Sequence, residues 1–102
     1  MTGAELAHQI SQRYGTTEAT EIAQRAGVVV RYERWHPATM GEYHKKDRTI
    51  CINLAAPLEP TQILAHELAH FFIHEAAILL PRLEEEKLAE SFADALIKAN
   101  HP

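Results

Sequence analysis

With 102 residues, 46% of them hydrophobic, the chain holds enough apolar material for one buried core and too little for two. Lys and Arg number 10 against 14 Asp and Glu, a formal charge of -4 with no basic block longer than Lys45-Lys46, which argues against direct nucleic-acid binding. Cys51 is the single cysteine, so an internal disulfide and any metal site built on paired thiolates are excluded.

The first ten residues carry Glu5 and His8 in place of a basic stretch followed by an apolar run, so no secretory signal is expected. The longest apolar stretch, Ala76 to Leu80, is far shorter than the roughly 20 residues a membrane-spanning helix needs. The expectation is a cytoplasmic protein without a membrane partner. From Ala4 to Tyr14, apolar residues at Leu6, Ala7, Ile10 and Tyr14 follow one helical face until Gly15 stops the run. A second, short helix is predicted after Thr16-Thr17, with Ala19, Ile22, Ala23 and Ala26 inward and Gly27 at the left-handed C-cap.

Val28 to Tyr32 is a β-branched run without helical period and predicts the first strand. Trp35 to Gly41 reads as a loop, and Glu42-Tyr43-His44 with Thr49 to Asn53 reads as a hairpin around the polar Lys45 to Arg48 turn. Ile50 and Ile52 share one face of the last strand; Cys51 lies on the other as a packed small residue. Pro60 suits the first position of a helix that meets no breaker until Pro81, with Leu64, Leu68, Phe71 and Phe72 on its core flank. Glu84, Glu85 and Glu86 open a fourth helix with Leu88, Phe92, Ala95 and Ala99 inward, and Glu84 and Glu85 read as a solvated first turn. The whole of residues 1–102 is expected to be one domain.

The third helix carries the chemical signal, His66-Glu67-Leu68-Ala69-His70. Histidines four apart on a helix project from one face, one turn apart, as two ligands of a tetrahedral zinc ion require. Glu67, next to the first histidine, is placed as general base toward a water that such an ion would activate, the chemistry of peptide-bond hydrolysis. A third ligand can come from a carboxylate on the fourth helix, which can fold back antiparallel to the third. Glu86 with Glu90 and Glu90 with Asp94 are both pairs four apart, so either could supply a ligand and a carboxylate that fixes a histidine tautomer. His74 is eight residues from His66, about 12 Å along a helix, and reads as a packing or capping residue more readily than as a ligand. His36, His44, Tyr32 and Tyr43 are the candidates for stabilising an oxyanion, and a substrate segment could add to a sheet edge near Tyr43 or Ile50.

Several stretches together resemble the ImmA/IrrE family of zinc metallopeptidase-like proteins: Ala23 to Val28, Arg48 to Asn53, Ile63 to His70 with His74 following, and Glu86-x-x-Ala89-Glu90-x-Phe92-Ala93. Ala69 and Glu90 depart from the residues common there, Gly and Asn or Asp. The resemblance implies a zincin-like minimal α+β domain, with about four helices flanking a small, mainly antiparallel three-stranded sheet. It implies Glu86 as the third ligand of one Zn2+ ion beside His66 and His70, which, with Glu67 read as the catalytic base, leaves Glu90, one turn further on, as the carboxylate expected to orient a ligand. It also implies a protein or peptide substrate, with transcriptional regulators as the associated class. The alternative reading is a zinc-stabilised module that binds a regulator without cleaving it.

Overall fold

A computed structural model of the chain describes residues 1–101, in an α+β arrangement of four helices and a three-stranded sheet. In chain order these are α1 (Gly3–Tyr14), α2 (Ala19–Arg25), β1 (Val29–Glu33), β2 (Gly41–His44), β3 (Thr49–Asn53), α3 (Pro60–Glu75) and α4 (Arg82–Asn100). No helix among the described residues is long and apolar enough to cross a membrane.

Local chemistry explains the helix ends. Thr2 and Glu5 close a reciprocal capping box at the start of α1, which satisfies two amides that the helix leaves without partners. Gly15 and Gly27 end the first two helices with φ of 71° and 75°, a region that costs a residue with a Cβ but not glycine. At α2 the expected Thr16-Thr17 cap becomes Glu18, whose side chain makes no cap, while the Thr16 hydroxyl accepts the Glu18 amide.

The sheet order is β1-β3-β2. β2 and β3 form the expected antiparallel hairpin, closed by a 3-10 turn over Lys45–Asp47 and by Arg48 in the left-handed region. β1 joins the far side of β3 in parallel, with Val29 opposite Thr49 and Glu33 opposite Asn53. β3 is therefore the central strand, and its Ile50 cannot offer a free edge to a substrate; only the Tyr43 alternative survives, on β2.

One apolar core joins all the helices to the sheet. Leu6 and Ile10 of α1, Ile22 of α2 and Ile50 and Ile52 of β3 meet Leu64, Leu68, Phe71 and Phe72 of α3 there. α1 lies so close to α4 that a Cβ on Gly3 would come within 2.4 Å of the Phe92 amide nitrogen. The buried face of α4 is Ala89, Phe92, Ala93 and Leu96, a different phase from the one expected: Leu88 and Ala95 are only partly covered and Ala99 is exposed. Because α4 packs against α1 as well as α3, its apolar surface is turned to both, and a single-partner helical pattern misplaces it.

Candidate metal centre and active site

α3 is buried on the core side through Leu64, Leu68, Ala69, Phe71 and Phe72, and this orientation turns His66, Glu67, His70 and His74 toward an open cleft. The cleft, about 1080 Å³, lies between α3, β2 with the segment before it, and α4. The His66 and His70 rings sit 5.2 Å apart, one helical turn, as their spacing requires.

α4 brings Glu86 to these two rings. Glu86 Oε2 is 3.2 Å from His66 Nε2, and Oε1 is 2.9 Å from His70 Nε2. One ligand atom from each of His66, His70 and Glu86 lies within 4.8 Å of the others. Donor atoms held about 2.0–2.1 Å from a tetrahedral zinc lie about 3.4 Å apart, so two imidazoles and one carboxylate at these distances fit that ion with a fourth position left for solvent. The Glu86 side chain is 49% exposed, which keeps the group open to the cleft.

Glu90 is placed differently from its expected role. It lines the cleft but makes no hydrogen bond to His66 or His70 among the described residues. Glu85 stands there instead, its Oε2 2.5 Å from His70 Nδ1 and 3.1 Å from His74 Nε2. Nor is Glu85 part of a solvated first turn, since its side chain is only 18% exposed. The contacts run in opposite senses along the two helices: Glu85 meets His70 and His74, and Glu86 meets His66 and His70. Four residues on, about 6 Å further along α4, Glu90 has passed the pair of rings. Asp94 also lines the cleft and lies outside the group of three.

Electrostatics distinguish the carboxylates. Burial pushes the Glu67 carboxyl above the ordinary range, against the pull of His70 and His66 and with help from Glu86 and Glu42. For Glu85 burial acts in the same direction but is outweighed by the His70 hydrogen bond and by the His74 and His70 charges, so its carboxyl is held below the ordinary range. Burial also raises the Cys51 thiol, in keeping with a packed residue and against a nucleophile.

Two further residues shape the cleft, and neither carried a signal in the sequence. A Cβ on Gly41 would lie 2.7 Å from Ile63 Cγ2, 3.1 Å from the Cys51 carbonyl oxygen and 3.3 Å from Glu67 Cγ, so only glycine lets β2 run this close to the general-base candidate. Asn53, 1% exposed, accepts the amides of Trp35 and Ala55 through Oδ1 and donates through Nδ2 to the carbonyls of Trp35, His36 and Thr39. It thereby fixes the segment that leads into the cleft wall at Ala38 to Met40. Of the oxyanion candidates, Tyr43 and His44 line the cleft; Tyr32 lies on β1 at the far side of the sheet, and His36 takes the Ala38 amide on its ring.

The Peptidase M78 family, described as the IrrE N-terminal-like domain, matches residues 23–97. The chain belongs to this family. The M78 match runs from the end of α2 to near the end of α4, so it takes in the whole sheet, the His66-Glu67-x-x-His70 helix and Glu86. The resemblance drawn from the sequence motifs is to the same family. No match was found among curated proteins.

Proposed function

We propose that this chain is a cytosolic zinc-dependent metallopeptidase that hydrolyses peptide bonds in a protein or peptide substrate, with transcriptional regulators the class that the family resemblance favours. The observation that carries the reading is the convergence of His66, His70 and Glu86 beside Glu67 in one cleft, in a chain of the M78 family. His66 and His70 would hold the ion through Nε2 and Glu86 through its carboxylate. When bound, zinc would supply a Lewis acid for the scissile carbonyl and would bring the pKa of water toward about 7.

The remaining chemistry belongs to the side chains. Glu67 takes a proton from the attacking water and delivers it to the departing amine nitrogen, so that water adds across the broken C–N bond. β2 forms one wall of the cleft at an edge of the sheet, where an extended substrate backbone could lie along it and enter the site past Gly41.

The test compares wild type and Glu67→Gln, each loaded with zinc, on a complex peptide mixture, with new termini read by mass spectrometry and metal content measured in parallel. The expected result is cleavage by wild type only, with one zinc per chain in both proteins. Equal cleavage by both would remove Glu67 from the reaction. No cleavage by either, with stoichiometric zinc in both, would leave a metal-stabilised binding module.

A further inference from the structure

Glu85 and His74 lie outside the three residues that converge on the metal position, yet they are joined to it by an unbroken line of hydrogen bonds. We propose that Glu85 and His74 act as a pair of positioning residues for His70, with Glu85 fixing the imidazole and His74 fixing Glu85. The proposal rests on the reading of His66, His70 and Glu86 as a metal site.

A histidine that offers Nε2 to a metal must carry its proton on Nδ1 and needs an acceptor there. His70 Nδ1 has Glu85 Oε2 at 2.5 Å, while His70 Nε2 faces the Glu86 side of the group. An ionised carboxylate only accepts, so the same oxygen can take a second N–H, and His74 Nε2 stands 3.1 Å from it. His74 then donates through Nε2, and in the neutral ring Nδ1 is left as a bare lone pair. His74 Nδ1 is buried without a hydrogen-bond partner among the described residues. A buried lone pair is tolerable; a buried orphan N–H would be the costlier state, so the surroundings select this tautomer of His74.

His74 is itself held from the core. Its ring lies 5.8 Å from that of Tyr43, and Tyr43 stands edge-on to Phe71 at 5.9 Å. Phe71 is 2% exposed. The support therefore runs from packed Phe71 through Tyr43 to His74, then by hydrogen bonds through Glu85 to His70. The difference in exposure between the two neighbouring carboxylates, 18% for Glu85 against 49% for Glu86, separates the one committed to the histidines from the one that faces the cleft.

The experiment measures Zn2+ affinity by competition with a chromogenic chelator for wild type, Glu85→Leu, His74→Leu, His74→Gln and the Glu85→Leu/His74→Leu double variant, with circular dichroism of each metal-free protein as the folding control. Removing the carboxylate is expected to weaken zinc binding about 10- to 100-fold, and His74→Leu to weaken it less. His74→Gln, whose amide N–H can reach the Glu85 oxygen, should recover most of the loss. The double variant should be no weaker than Glu85→Leu, because His74 acts only through Glu85.

In the zinc-loaded protein, nitrogen-15 spectra of the imidazoles should show a protected Nδ1–H on His70 that is lost in Glu85→Leu and kept in His74→Gln. If Glu85→Leu does not fold, Glu85→Gln retains the acceptor oxygen without the charge and should give an intermediate loss. Folded variants with wild-type affinity would overturn the proposal, as would losses from the two sites that multiply in the double variant. A wild-type chain that binds no zinc would overturn the metal-site reading itself, an outcome distinct from either of these.

Discussion

Replacing Asn53 by Ala tests how a single buried amide secures one wall of the cleft. The substitution removes five side-chain contacts: two amide donors, from Trp35 at 3.1 Å and Ala55 at 2.9 Å, and three carbonyl acceptors, of Thr39 at 2.6 Å, His36 at 2.9 Å and Trp35 at 3.4 Å. A hydrogen bond contributes about 1 kcal/mol net, and a polar group stranded without water costs about 1–3 kcal/mol. His36 is exposed and its carbonyl can turn to solvent, and the 3.4 Å contact is weak, so about three bonds carry the cost. The expected loss is about 3–4 kcal/mol. For a chain of this length that lowers Tm by roughly 12–30 °C in calorimetry of the metal-free protein.

Asn53→Asp refines the same test. It keeps the oxygen that receives Trp35 and Ala55 but turns a second, charged oxygen toward three carbonyls. It should be at least as destabilising as Asn53→Ala at neutral pH and should recover part of the loss in acid, where a protonated carboxyl can donate again. A cost below about 1 kcal/mol for Asn53→Ala, or an Asn53→Asp protein as stable as wild type at neutral pH, would refute the bookkeeping.

Gly41→Ala should cost about 1–3 kcal/mol, since its new methyl meets Ile63 and a backbone carbonyl, and should cut peptide cleavage further by displacing Glu67; unchanged urea midpoints and turnover would count against that crowding. The Glu67 carboxyl, raised by burial, favours the fold fully below its unfolded value near 4.5 and loses that contribution as pH rises through the higher folded value. Metal-free Glu67→Gln should therefore be more stable than wild type at neutral pH, with the gap closing below about pH 4.5 in urea titrations; a gap that does not change with pH would refute this. Glu86→Ala should lose most zinc affinity and with it the stabilisation that saturating zinc gives in thermal melts, whereas Glu90→Ala should retain both. Equal losses in the two variants would put Glu90 back at the metal.

The sequence alone settled what depends on neighbours along the chain. Histidines one turn apart at His66 and His70, the general-base candidate between them, the hairpin around Lys45 to Arg48 and the glycines at 15 and 27 all follow from local periodicity and backbone freedom. What it could not settle depends on how one element is rotated and shifted against another. Glu84, Glu85, Glu86 and Glu90 are alike as residues, and only the register of α4 on α3 assigns Glu86 to both rings and Glu85 to the outer nitrogen of His70. The same holds for Gly41, set by contact with Ile63 and Glu67, and for Asn53, set by a loop folding over it. Periodicity specifies which residues share a face; the phase and height at which two faces meet come from packing of the whole core, and here that packing decides which carboxylate does what.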